Sequence, residues 1–134
     1  MSSRLAFVLM MSGIATATFA ADDPTQRIVF EPGTNAATIS GAVVGYRSLR
    51  YLIAGRTGQV LSTTFTATKK TLYYNVLQGT RTLRDGSSED TPDWATTLAA
   101  DGDYVIDVYF KSGDARKNAE ATFVLTITLT NPLN

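Results

Sequence analysis

The sequence contains no histidine and no cysteine. Without histidine it lacks the usual general base at neutral pH, and without either residue it cannot build Ser-His-Asp or Cys-His nucleophilic machinery or nearly any zinc or copper site. Without cysteine there is no disulfide framework, so the fold depends on packing alone. Net charge is missing too: twelve Lys and Arg face twelve Asp and Glu. That balance argues against a dedicated nucleic-acid protein, which needs a basic excess to neutralise phosphates. Outside the N-terminus no window carries a sustained helical stripe. A carboxylate-only glycosidase could draw on Glu31, Glu89 or Glu120, but it needs two carboxyls facing each other across a cleft, and a small sandwich offers little room for that. The sequence reads as that of a non-enzyme, with no cofactor and no metal.

What is present begins with MSSRLAFVLMMSGIATATFA. One early cation, Arg4, precedes an apolar run from Leu5 to Ile14, and small residues lead to Ala20. This is the pattern of a secretory signal peptide, and the apolar run is too short to span a bilayer. Residues 1–20 are therefore expected to be removed on export, leaving residues 21–134 as a single domain with no membrane attachment. That domain would carry eleven cations against twelve acids.

The rest of the chain alternates with period two. Ala121, Phe123, Leu125, Ile127 and Leu129 share one face of EATFVLTITLT, and Tyr104, Ile106, Val108 and Phe110 share one face of the preceding run. Further strands are expected at 27–31, 37–46, 50–54, 59–67, 72–78 and 94–98, each bounded by Gly, Asn, Asp or Pro. The pattern predicts an all-β fold, an antiparallel β-sandwich of about eight short strands, with a closed β-barrel as the alternative. The segments 79–93 and 110–118 read as surface loops, the second as the turn of a hairpin. Within the first, DGSSEDTPD supplies Asp85, Ser87, Glu89, Asp90 and Asp93 as hard oxygen donors, but without the ordered spacing of a calcium loop.

Two loop features carry a binding hypothesis. Tyr46 follows Gly45 at a strand end and precedes Arg47, a composition favoured in interface anchors. In KSGDARKNAE, Lys111, Arg116 and Lys117 face only Asp114 and Glu120, so a neutral protein has a locally positive tip. A guanidinium can grip a carboxylate through two parallel hydrogen bonds, whereas an ammonium adds field without that geometry. The alternative is a solvated turn whose cations protect a sheet edge. The remaining aromatics, Tyr51, Tyr73, Tyr74, Trp94, Tyr104 and Tyr109, are ordinary strand formers, and most are expected to pack in or against the core.

The stretches IVFEPGTNAATISGAVVGY, YLIAGRTGQVLS, YYNV and DGDYVIDVYFKSGDARKNAEATFVLTI, in this order over residues 27–129, resemble the periplasmic inhibitors of goose-type (g-type) lysozyme. The ARKN segment combined with the early Gly-Tyr is the most specific part. The resemblance implies a small exported β-sandwich that plugs the lysozyme's active-site groove, with Tyr46, Arg116 and Lys117 reaching its acidic catalytic centre. It therefore implies a periplasmic location and a g-type lysozyme as protein partner. The sequence departs from the family pattern in having Lys117 in place of a second arginine and Ala119 before Glu120. The competing reading is a non-catalytic accessory or carbohydrate-binding sandwich that uses Trp94 and the tyrosines as stacking surfaces.

Overall fold

A computed structural model describes residues 14–17, 25–89 and 91–131. Among them are ten strands and one short helix: β1 Ile14–Ala17, β2 Thr25–Arg27, β3 Ala36–Val44, β4 Leu49–Gly55, β5 Val60–Ala67, β6 Leu72–Gln78, β7 Arg81–Arg84, β8 Trp94–Thr97, β9 Gly102–Phe110, α1 Ser112–Arg116 and β10 Glu120–Thr130. They form two five-stranded sheets, ordered β1-β3-β10-β5-β8 and β2-β4-β9-β6-β7. The expected sandwich is present and the barrel is not. Pairing is antiparallel except for β1 with β3 and β2 with β4. β1 lies within the stretch read as an export signal.

The period-two pattern explains the core. β10 places Ala121, Phe123, Leu125 and Ile127 inward against Tyr104, Ile106, Val108 and Phe110 of β9, and β3, β4, β5 and β6 add Ile39, Tyr51, Ile53, Leu61, Tyr74 and Val76. Each fully buried side chain of this size contributes roughly 1.5–3 kcal/mol, and this burial replaces the covalent staples the sequence lacks. Phe65, Phe123, Tyr51 and Tyr74 form a chain of ring contacts across the two sheets, with centroids 4.8–6.4 Å apart. The polar atom among these rings is accounted for. The Tyr74 hydroxyl donates to the Pro92 carbonyl, which leaves the Thr63 hydroxyl to donate to it at 2.7 Å.

Three expectations need correction. The segment 110–118 is not a hairpin turn: β9 pairs with β4 and β6, whereas β10 pairs with β3 and β5, so the segment crosses from one sheet to the other. It also contains α1. The loop expected over 79–93 includes β7, which pairs with β6 through Arg81 and Arg84. The strand expected at 27–31 is Thr25–Arg27, continued by an Ile28 N–H bond to the Leu52 carbonyl at 2.8 Å.

Candidate partner-binding end of the sandwich

Strand direction sorts the connections onto two ends. β3 finishes where β10 begins, with Val44 opposite Glu120, and β5 finishes at the same level, with Ala67 opposite Phe123. β6 begins there too, with Leu72 opposite Phe110, the last residue of β9. One end therefore collects the β3–β4 turn, the β5–β6 turn and the β9–α1–β10 crossover. It collects Tyr46, Arg116 and Lys117.

The joint between the two predicted segments is specific. β3 stops at Gly45, whose φ of +60° suits glycine, and the chain turns through Tyr46 with the Arg47 N–H bonded to the Val44 carbonyl at 3.1 Å. The Gly45 N–H donates to the Ala119 carbonyl at 2.8 Å, and a Cβ at Gly45 would lie 2.6 Å from the Asn118 Oδ1. The Tyr46 turn is thus pressed against the end of the ARKN segment.

That segment is a capped helical turn. α1 ends with Asn118 in the left-handed region at φ 58°, its N–H donating to the Ala115 carbonyl at 3.0 Å, and the Ala119 N–H donates to the Asp114 carbonyl at 3.1 Å. This paired arrangement satisfies the last helical carbonyls with an asparagine in the position glycine usually takes. Ala115 is buried and pins the turn to the core, leaving Arg116 and Lys117 exposed. Ala119 is the residue that completes the cap and receives the Gly45 N–H.

Tyr46 is 69% exposed, a large ring standing on a turn with half-exposed Val44 two residues before it. The other tyrosines are used differently. Tyr51, Tyr74 and Tyr104 are core residues, and burial pushes the Tyr51 phenol up to about 12. Tyr73 and Tyr109 pack on each other at 6.1 Å on the outer face, with the Lys111 ammonium 5.4 Å from the Tyr73 ring. Trp94 is half-buried against the core on edge strand β8, so it is a packing residue more than a bare platform.

Electrostatically this end is one-sided. Besides Arg116, Lys117, Lys111 and Arg47, it carries Lys69 and Lys70 on the β5–β6 turn, which the sequence-based reading missed. Only the strand order reveals that they share an end with Tyr46. Against them stand Asp114 and Glu120, Glu89, which lines a cleft together with Lys69 and Lys70, and, at the flank, Asp85, near enough for Lys111 to help hold its carboxyl below the usual range. The main cause of that depression is Asp85's own turn: it accepts the Ser87 N–H and hydroxyl at 3.0 and 2.8 Å and the Ser88 hydroxyl at 3.4 Å. Neither the Arg27–Asp103 nor the Arg50–Asp107 pair uses Arg116, Lys117, Lys111, Lys69 or Lys70. Glu31 precedes β3 and Glu120 begins β10, so these two carboxylates lie at opposite ends of the sandwich and cannot flank one bond.

No protein-family model matches the sequence, and no curated protein matches it. Solved structures match by fold. A periplasmic lysozyme inhibitor of g-type lysozyme from Aeromonas hydrophila superposes with a TM-score of 0.70 at 21% identity, covering 90% of this chain and 100% of the inhibitor. The chain has the fold of these inhibitors. The Salmonella Typhimurium inhibitor gives 0.61 at 20% identity, covering 79% of this chain and 97% of its own. The pre-peptidase C-terminal domain of a Bacillus anthracis collagenase gives 0.57 at 14% identity, over 82% of this chain and all of that domain. The likeness to the inhibitors thus extends over most of both chains.

Proposed function

We propose that this protein is a periplasmic inhibitor of g-type lysozyme and that it acts without chemistry of its own, by inserting the basic end of the sandwich into the enzyme's active-site groove. The observation that carries this reading is the joint at Gly45, which fuses an exposed tyrosine turn to the Arg116–Lys117 turn on an end with six cations and few acids. A groove that holds catalytic carboxylates attracts such a surface over distance and rewards an arginine that pairs with a carboxylate inside it. Tyr46 supplies the apolar contact area, Arg116 the directional charge, and Lys117 additional field. The inhibitors that share the fold are named for this same target.

Residues 1–20 leave on export in this reading, which places the domain where cell wall and invading lysozyme meet. Removal of β1 then makes β3 the edge of its sheet. The test is cell-wall lysis by a g-type lysozyme, with chicken-type and invertebrate-type lysozymes as controls. The mature protein is expected to slow the g-type enzyme alone, and Arg116→Glu to lose that effect while keeping its fold. A folded wild-type protein that leaves lysis unchanged at high concentration sinks the proposal.

The accessory or carbohydrate-binding reading has one observation in its favour, the shared fold with the collagenase domain. Trp94 weakens it, because the ring packs against the core. Trp94→Ala is expected to destabilise the fold, and selective loss of glycan binding in a stable Trp94→Ala protein would instead favour the accessory role.

A further inference from the structure

Of the four sheet edges among the described residues, three are blunted. β2 has three residues, and its Arg27 is tied to Asp103. β7 has four, with an arginine at each end and a register irregularity against β6. β8 also has only four. Short, charged or irregular edges resist pairing with another chain. The fourth edge is β1, which lies beside β3 and belongs to the segment read as leaving on export. Even with β1 in place the cover is partial: it pairs with residues 36–39 of β3, and residues 40–44 have no strand on that side among the described residues.

β3 itself has none of these protections. Its nine residues, AATISGAVV, include no charge and no proline, and its register with β10 runs unbroken from Val44 opposite Glu120 to Ala36 opposite Thr128. The outer face beside this edge is equally uncharged. Across the sheet from β3 it continues through Thr122, Val124 and Thr126 of β10 to Thr64 and Thr66 of β5, with Glu120 at the rim as the exception. The outer face of the other sheet differs, since it carries Arg50, Asp103 and Asp107. Nothing on β3 repels a like surface. A row of free backbone N–H and C=O groups is a template for a further strand, and β1 shows that a strand is accepted there.

We infer that β3 is the strand through which two copies of the mature chain pair, edge to edge and antiparallel, about a two-fold axis at Ser40. A second copy is the occupant that this edge selects. Both partners are then the same uncharged strand, each completing the other's backbone ladder, and self-complementarity is what a two-fold interface requires. The axis sets Ser40 beside its own counterpart and the bulk of Ile39 beside the counterpart of Gly41, which has no side chain. The inference rests on the export reading for the loss of β1, and it is separate from the lysozyme-groove reading. Tyr46 follows β3 by two residues, so antiparallel pairing leaves the two tyrosine turns at opposite ends of the shared ladder, roughly 30 Å apart by strand rise.

The test is sedimentation equilibrium of the protein exported to and purified from a bacterial periplasm, after its intact mass has shown whether residues 1–20 are gone. The mature wild type is expected to form a dimer in the micromolar range. Ser40→Lys, which sets two ammonium groups face to face at the axis, should weaken that dimer at least about tenfold. Thr64→Lys, also at an exposed position of the same outer face but two strands in from the edge, should leave it unchanged. Circular dichroism checks that both variants keep the fold. A mature protein that stays monomeric up to about 1 mM overturns the inference, as does a dimer indifferent to Ser40→Lys. Dissociation by Thr64→Lys as readily as by Ser40→Lys also overturns it, because that is face-to-face packing. Retention of residues 1–20 overturns it together with the export reading, and the intact mass tells that failure from the others.

Discussion

The two ends of this sandwich are built from the same strands but hold their charges differently. At the end opposite Tyr46, cations and acids are matched and tied. Arg27 grips Asp103 through two bonds at 2.7 and 3.0 Å, and Asp101 accepts both the N–H and the hydroxyl of Thr57 at 2.8 and 3.0 Å. Gln59 bridges the Arg56 N–H and Asn131 there as well. At the Tyr46 end, six cations stand on three connections, and the joint between two of those connections is a single backbone bond at Gly45. A surface with satisfied charges favours stability and solubility. One with an excess of like charge gives up some stability, and it gains long-range attraction for an acidic partner.

The joint is where the largest effect is expected. Gly45→Ala places a side chain at φ +60° and forces the Asn118 side chain to move, so it should cost about 2 kcal/mol in urea unfolding. It should also weaken lysozyme inhibition beyond what lost stability explains, since it separates the tyrosine turn from Arg116. A variant that inhibits normally would show that the two turns act without a common frame.

An intermediate effect is expected beside this end on the outer face of β9. Burial pushes the Asp107 carboxyl up, only partly offset by Arg50 at 3.8 Å and by Ser48, and its Oδ1 lacks a hydrogen-bond partner. A carboxyl with a raised folded-state pKa loses stability as pH climbs from its unfolded value through its folded one. Asp107→Asn is therefore expected to stabilise the protein near neutrality by about 1 kcal/mol, and the gain should vanish on titration below the ordinary Asp range, near pH 3–4. Thermal unfolding followed across that range checks both halves.

The smallest effects belong to the matched end and have the opposite sign in pH. Hydrogen bonds from Thr57 hold Asp101 below the usual carboxylate range, and those from Arg27 do the same for Asp103. Their contribution is present above the unfolded pKa and is lost as pH falls through the lower folded one. Asp101→Asn and Asp103→Asn should each cost little at neutral pH and make acid unfolding less steep. Both should leave inhibition unchanged.

Much of this molecule could be read from its sequence. The alternation in EATFVLTITLT and DYVIDVYF is carried by large side chains over many residues, so β9, β10 and their core faces were legible. β7 was not, because in RTLR the inward residue is an arginine, and a buried arginine has no hydropathic signature. α1 was hidden for a different reason: five residues cannot show a helical stripe, and its cap is made by Asn118 and Ala119, which read locally as turn residues. Tyr46, Arg116 and Lys117 could be picked out as exposed loop residues of distinctive type. Lys69 and Lys70 could not be grouped with them, because only strand order puts residues so distant in sequence on one end.

The most direct test of the account is the affinity of a g-type lysozyme for three proteins by calorimetry: the wild type, Arg116→Glu at the basic end and Arg81→Glu at the matched end. The account predicts a loss of about a hundredfold or more for Arg116→Glu, and a change within about threefold for Arg81→Glu, as is usual for surface charges outside an interface. Equal losses in the two variants, or full affinity in Arg116→Glu, would contradict the assignment of the basic end as the binding surface.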